Sequence, residues 1–183
     1  MSTAYLVLTA LGPDRPGLVA ELTQFLTSRG ANVEESRMAI LGAEFGMLVL
    51  VSAPDDDVLT AIEADLAAVQ KKSGLTIHPR RTRSPHDYRR ARVVPCSIVV
   101  EALDQPGIVH NVTAAVHALG INIVSLETTA FNAPFTGGIL FMLEARVDVP
   151  EGRTVAQLRK TLAELADKEG LDVEVRSLAS ASG

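Results

Sequence analysis

The chain has 183 residues, of which 47% are hydrophobic, 4% are aromatic and 21% are charged, and its formal net charge at pH 7 is −5. A chain of this length forms one ordinary domain or two small ones, with enough apolar residues for a core. The longest apolar runs are only about five or six residues, whereas a membrane-spanning helix needs roughly 18 or more. We therefore expect a soluble protein that does not bind membranes.

Residues that usually carry chemistry are sparse. One cysteine, Cys96, cannot form an internal disulfide, and with four histidines it gives no spacing typical of zinc sites. No nucleophile elbow, phosphate loop, HExxH or dinucleotide-binding motif occurs. We predict no metal, no cofactor, no catalytic residues and no enzyme activity. The N-terminus lacks a basic leader before its apolar stretch, which predicts a cytoplasmic location.

The first predicted element is a β-strand at residues 5–11, and a helix follows it. Pro16 marks the start of this helix, because a first helical turn tolerates the missing N–H of proline. Gly30 marks its end. Its predicted apolar face consists of residues at helical spacing: Leu18, Val19, Leu22, Phe25 and Leu26.

Strands at residues 32–41 and 45–52 then form a predicted hairpin. A second helix at residues 56–72 has acidic residues at its start and lysines at its end, which suits the helix dipole. Gly74 closes this helix, and a strand at residues 75–78 completes the unit. The residues predicted on the inner side of the second helix are Val58, Ile62, Leu66 and Val69.

The same order of elements is then repeated. DRPGLV at residues 14–19 matches DQPGIV at 104–109, an offset of 90, and GANV at 30–33 matches GINI at 120–123. FGML at residues 45–48 matches GGIL at 137–140, an offset of 92, which predicts a two-residue insertion in the second hairpin. The predicted elements of the second copy are a strand at 97–103, a helix from Pro106 to Gly120, a hairpin at 121–131 and 137–147, a helix at 154–169 and a strand at 171–176.

Each copy has the order βαββαβ, which is typical of the ferredoxin-like α+β fold, an antiparallel four-stranded sheet with both helices on one face. We predict two such domains, at residues 1–79 and 93–178, with an arginine-rich linker at 80–92 and a flexible tail at 179–183. One face of each sheet is left uncovered, so each small domain needs a neighbour. We therefore expect a homodimer.

The charge is unevenly distributed along the chain. Residues 80–92 hold six arginines and one aspartate, which leaves a net charge of about −10 on the rest. An acidic body repels a phosphate backbone, so direct nucleic-acid binding would depend on this segment alone. A solvated linker that balances two acidic domains is the interpretation we prefer.

The most informative motif is the Asp-x-Pro-Gly turn between the first strand and the first helix of each copy. Amide groups at a helix start attract carboxylates, glycine lets a ligand approach the main chain, and the aspartate accepts hydrogen bonds from an ammonium group. This combination suits a zwitterionic amino acid. The predicted ligand-binding residues lie in these turns and where each helix returns to a strand: Asp14, Arg15, Gly17, Leu18, Asn32, Asp104, Gln105, Gly107, Ile108 and Asn122.

Structural roles compete with binding for some of these residues. Asp14 and Asp104 also suit a helix cap, and Asn32 and Asn122 also suit a left-handed backbone. His110, one turn into the second copy's first helix, is interpreted as a surface or capping residue in preference to a site residue. Cys96 is interpreted as a small buried or half-buried hydrophobe, and phenylalanines near the hairpins as packing residues in preference to an RNA-stacking surface.

With these repeated motifs in view, the sequence resembles tandem ACT-domain proteins, and in particular the glycine cleavage system transcriptional repressor family, over residues 3–178. The resemblance implies that a small amino acid binds at interfaces between ACT modules, in contact with Asp14, Asp104, Asn32 and Asn122. It also implies glycine as the effector, and action through a transcriptional activator without a DNA-binding domain. Gln105 stands where the first copy has Arg15, so the two sites differ or one is vestigial.

We therefore expect a regulator that binds a small amino acid, glycine or serine, and modulates transcription through a protein partner such as a transcriptional activator. The alternative is a separate regulatory subunit of an enzyme of amino-acid metabolism. Direct nucleic-acid binding through the arginine-rich segment is a third hypothesis, and the acidic body disfavours it.

Overall fold

The chain consists of two units, Met1–Arg89 and Arg90–Gly183, and the computed structural model describes residues 3–85, 92–132 and 137–178. The first unit contains β1 (Ala4–Pro13), α1 (Leu18–Thr27), β2 (Asn32–Leu41), β3 (Glu44–Ala53), α2 (Asp56–Ser73) and β4 (Thr76–Thr82). The second contains β5 (Val93–Leu103), α3 (Ile108–Ala118), β6 (Asn122–Asn132), β7 (Ile139–Pro150), α4 (Val155–Glu169) and β8 (Asp172–Ser177). Both sheets are antiparallel, with strand orders β2-β3-β1-β4 and β6-β7-β5-β8. The predicted ferredoxin-like α+β fold is confirmed in both units.

Each unit has its own hydrophobic core between the sheet and the two helices. In β1 the side chains of Leu6, Leu8 and Ala10 are buried, while the alternate residues lie on the open side of the sheet. Val19 of the predicted apolar face is exposed, and so is its repeat equivalent Val109. Each lies about 100° around the helix from the buried residue before it, at the edge of the apolar stripe.

The second hairpin is longer than the sequence comparison predicts. In the first sheet Thr9 pairs with Leu48, and in the second sheet Val99, the equivalent of Thr9, pairs with Glu144. Leu48 therefore corresponds to Glu144, at an offset of 96 residues. The insertion is therefore six residues and not two. Offsets of 92 and 96 are both even and preserve the inward and outward alternation of side chains, so this alternation does not distinguish them. Residues 133–136 of the hairpin lie outside the described residues.

The first sheet extends into the segment that the sequence predicts as a linker. β4 continues to Thr82, and its Arg80 and Arg81 pair with β1, because the ten-residue β1 offers backbone partners that far. The Arg81 guanidinium donates to Asp56 at 2.7 Å and to Glu63 at 2.8 Å, which fixes α2 to β4. The predicted linker therefore begins too early. Residues 86–91 of the segment lie outside the described residues.

The open faces of the two sheets differ in polarity at two equivalent positions, although Leu103 and Phe131 are exposed on the second face as well. In the first sheet, Leu11 and Leu48 expose 60% and 47% of their surface. The equivalent positions in the second sheet are Glu101 and Glu144. Glu144 pairs directly with Glu127, and β5 separates it from Glu174, so three glutamates follow one row across the sheet. The duplication has thus kept the cores and changed the outer surfaces.

Within residues 3–85, 92–132 and 137–178, no helix is long and apolar enough to span a bilayer.

Candidate ligand site at the strand-to-helix corners

The Asp-x-Pro-Gly turns form a sharp corner in each unit, which we call the first corner (residues 14–17) and the second corner (residues 104–107). The backbone N–H of Asp14 donates to the Ala43 carbonyl at 2.9 Å, and that of Asp104 donates to the Ile139 carbonyl at 2.8 Å. These bonds fix each corner to the adjoining hairpin. The chain then enters the helix through a glycine with a positive φ, 94° at Gly17 and 102° at Gly107.

The glycines, and not the prolines, precede the first helical residues. Gly17 and Gly107 occupy the N-cap positions, so Pro16 and its equivalent lie outside the helices that they were predicted to begin. A left-handed backbone at the N-cap suits glycine because a Cβ would crowd the neighbouring carbonyl. The first intrahelical bond of α1 is therefore made by the Glu21 N–H to the Gly17 carbonyl at 2.9 Å.

The two corner helices lack the caps that the other two helices have. The Asp55 carboxylate caps α2, and Thr154 forms a capping box with Gln157 in α4. Among the described residues, no side chain caps α1 or α3. The interpretation of Asp14 and Asp104 as helix caps is thus wrong. N–H groups at the start of each corner helix are left without a side-chain partner and favour an anionic group.

A cleft of about 430 Å³ lies at the first corner. Four predicted ligand-binding residues line it, and so do four residues that sequence reasoning missed. Its wall consists of Asp14, Arg15, Gly17, Leu18, Val19, Ala20, Met38 and Phe45. Clefts of this volume are typical of small-molecule sites.

Arg15 fixes the first corner to both helices. Its Nη1 and Nη2 atoms donate to the two carboxylate oxygens of Glu21 at 2.8 Å each, and Nη2 lies 3.4 Å from the Ser73 carbonyl at the end of α2. The hydrogen bond from Arg15 lowers the pKa of Glu21, and the same bond raises the pKa of Arg15. The guanidinium is therefore already neutralised by a partner within its own unit.

The second corner is fixed by neutral amide donors, where the first has a guanidinium. The Gln105 Nε2 atom donates to the Glu169 carbonyl at 3.2 Å, and Asn111 Nδ2 donates to the Glu169 carboxylate at 3.0 Å. Glu169 ends α4 as Ser73 ends α2. Arg15 and Gln105 thus hold their corners by different chemistry.

Asn32 and Asn122 lie far from the corners of their own units. Asn32 is opposite Ser52, which is opposite Tyr5 at the start of β1, whereas the corner follows the other end of β1. Nine residues at roughly 3.3 Å each separate these levels by about 30 Å. Asn122 has the corresponding position in the second sheet. One small ligand cannot touch the aspartate and the asparagine of a single unit.

The interpretation of these asparagines as left-handed residues is wrong. Among the described residues only glycines have a positive φ, and Gly30 at 76° and Gly120 at 68° provide the reversal after the helix. Asn32 is instead the first residue of β2, and its Nδ2 donates to Glu34 at 3.1 Å.

Cys96 and His110 are other reactive side chains that the sequence analysis considered. Cys96 is fully buried, as predicted, and its burial raises the pKa of the thiol. His110 lies on α3, and its carbonyl accepts from the Thr113 hydroxyl at 3.1 Å. In the described part of the chain, no group of three or more His, Cys, Asp or Glu side chains is arranged to hold a metal ion.

The model of the ACT domain matches residues 4–79 and 98–176. The chain belongs to the ACT domain family. It is 37% identical over 127 residues to the glycine cleavage system transcriptional repressor of Escherichia coli, an alignment that covers 68% of this chain and 64% of that protein. The chain thus spans less than two thirds of the length of the curated relatives that it matches first.

Two solved structures resemble 97% of the chain. A protein of unknown function from Galdieria sulphuraria superimposes with a TM-score of 0.81 at 34% identity, over 97% of this chain and 100% of that chain. A protein proposed to be a glycine cleavage system transcriptional repressor superimposes with a TM-score of 0.73 at 27% identity, over 97% and 99%. This tandem ACT protein is thus related to regulatory ACT proteins.

Proposed function

We propose that this tandem ACT protein binds a small amino acid and modulates transcription through a protein partner, without being an enzyme. The observation that carries the proposal is the pair of uncapped corners. Each combines an aspartate, an αL glycine and a helix start whose N–H groups lack a side-chain cap. The similarity to glycine cleavage system transcriptional repressors supports the regulatory role.

The expected binding mode follows from the charges of a free amino acid. Its carboxylate accepts hydrogen bonds from the N–H groups at the start of α1 or α3, where the helix dipole is positive. Its ammonium group donates to Asp14 or Asp104. Gly17 and Gly107 leave the main chain open to the ligand.

We propose that the asparagine completing each site comes from another ACT module. Because Asn32 lies about 30 Å from its own corner by strand rise, a ligand that contacts both residue types lies between modules. A homodimer is one source of such a second module. Ligand binding would then favour one arrangement of modules and so change the affinity for a partner, as linkage requires.

Isothermal titration calorimetry and thermal shift with a panel of amino acids at millimolar concentration test this function. We expect saturable heat and a higher melting temperature with at least one of them. Asp104→Ala and Asn122→Ala should each weaken binding by roughly tenfold or more, since each removes a hydrogen bond to a charged group. If no amino acid in the panel gives either signal, the sensing function is wrong.

The partner distinguishes the proposed function from its alternative. A tagged chain that retains a transcriptional activator from cytoplasmic extract supports indirect control of transcription, with glycine or serine as first candidate effectors. Retention of an enzyme of amino-acid metabolism supports a regulatory subunit instead. Salt-sensitive gel shifts with the chain alone would indicate direct nucleic-acid binding, which the acidic body disfavours.

A further inference from the structure

The cleft at the first corner is polar at one end and apolar elsewhere. Asp14 and Arg15 form the polar end, and Arg15 is already paired with Glu21. The rest of the wall consists of Leu18, Val19, Ala20, Met38 and Phe45 beside Gly17. Met38 is 49% exposed and Val19 is 39% exposed, so both side chains are available to a ligand.

Met38 is exposed because of its place in the sheet. It pairs with Met47 and lies on the helix side of β2, the edge strand of the first sheet. Met47 itself is buried under the helices, but Met38 is one strand further out. The helix side of the edge strand thus brings an apolar side chain to the first corner.

The second corner has more polar residues at the same positions. Thr128 pairs with Leu143 as Met38 pairs with Met47, so Thr128 is the equivalent of Met38. His110 replaces Ala20, and Gln105 replaces Arg15. Val19 has a valine, Val109, as its equivalent. Two of the side chains that could face a bound amino acid have therefore changed from apolar to polar.

We propose that the first corner selects an amino acid with an apolar side chain, such as leucine or methionine, and that the second corner selects a small or polar one. This inference rests on the proposed function. A backbone-only ligand such as glycine leaves Met38 and Val19 in water, whereas an apolar side chain covers them. In apolar pockets one methylene group changes binding by roughly 10- to 200-fold. The apolar wall should therefore discriminate strongly between leucine or methionine and glycine.

Calorimetric titration of the full-length chain with leucine, methionine, glycine and serine tests the inference. The key variant is Met38→Thr, which places the second corner's residue at the first corner. We expect leucine and methionine to bind the wild type, and Met38→Thr to weaken this binding by about tenfold or more. Met38→Leu, which keeps an apolar side chain, should stay within about threefold of the wild type.

The reciprocal variant, Thr128→Met, should add or strengthen leucine binding at the second corner. Circular dichroism melts confirm that each variant folds, and Val19→Thr serves as a second test of the apolar wall if Met38→Thr does not fold. Binding of glycine or serine with no binding of leucine or methionine overturns this inference and leaves the proposed function intact. Unchanged leucine affinity in Met38→Thr and Val19→Thr also overturns it. If no amino acid binds, both fail together.

Discussion

Arg15 and Gln105 show how one position serves two corners with different residues. Arg15 forms a bidentate pair with the Glu21 carboxylate, and Gln105 reaches a backbone carbonyl of Glu169 instead. Arg15 thus gives the first corner an ion pair, where Gln105 gives the second corner a neutral hydrogen bond. That ion pair depends on the charge of Glu21.

The Arg15–Glu21 pair predicts a pH dependence of stability. Because the pKa of Glu21 is lowered in the folded chain, the pair stabilises the fold above the ordinary glutamate pKa of 4.5, and the stabilisation is lost as the pH falls through the lowered value. The melting temperature of Arg15→Gln should therefore lie below that of the wild type at neutral pH, and the gap should close in acid. Thermal melts of both proteins at a series of pH values, from well below the ordinary glutamate pKa up to neutral pH, measure this difference in melting temperature.

Arg37→Gln is the matched control, because its pair with Glu35 is 71% and 61% exposed. Exposed pairs of this kind contribute little. A gap for Arg15→Gln that stays constant across the whole pH range would contradict the role assigned to Glu21.

Cys96 leads to a second prediction about a single residue. The thiol is buried, and burial raises its pKa, so little thiolate forms at neutral pH and reagents cannot reach it. We expect Ellman's reagent to react very slowly with the native chain and stoichiometrically in guanidinium chloride. Rapid labelling of the native chain would show that β5 opens far more readily than its burial indicates.

At the level of elements, β1 lies close to the connection from α2 to β4 at Gly74 and Leu75. A Cβ placed on Gly12 would lie 2.9 Å from the Gly74 carbonyl oxygen and 3.2 Å from the Leu75 Cα. Both atoms belong to the backbone and cannot rotate away. The equivalent of Gly12 in β5 is Ala102, so the second unit accommodates the methyl group that the first excludes.

Gly12→Ala should therefore destabilise the first unit by about 1–3 kcal/mol, the usual cost of overpacking. Urea denaturation followed by circular dichroism measures the change. Gly46→Ala is the control, because its nearest contact from a new Cβ is 3.8 Å. If Gly12→Ala is as stable as the wild type, the backbone at Gly74 and Leu75 must shift away from β1 at little cost.

The elements themselves were largely predictable from the sequence, since their apolar periodicity and the glycines after the helices are local signals. Helix α2 begins at Asp56 and its C-cap is Gly74, as predicted. The offset of the second hairpin was not predictable, because the alternation of inward and outward side chains stays the same when the register shifts by an even number of residues. Met38 was missed as a site residue for a related reason: alternation places it on the helix side but does not reveal that the helices stop short of the edge strand.

For the whole molecule, the two hydrophobic cores are separate clusters of residues, one in each unit. A defect in one core should therefore lower the stability of one unit first. Leu22→Ala removes a side chain that is 1% exposed, and we expect a loss of about 2–5 kcal/mol in the first unit. Urea unfolding should then show two transitions. A single transition that moves as a whole would show that the units unfold cooperatively.

The difference between the open faces of the two sheets has a practical consequence for identifying a binding partner of this protein. Contacts to Leu11 and Leu48 of the first sheet and contacts to the glutamate row of the second respond in opposite ways to ionic strength, because salt screens charges but does not weaken apolar contacts. A partner bound through the glutamate row of the second sheet should dissociate as the sodium chloride concentration is raised. A partner bound to the leucines of the first sheet should stay bound, so a salt wash of a loaded affinity column shows whether the glutamate row takes part in binding.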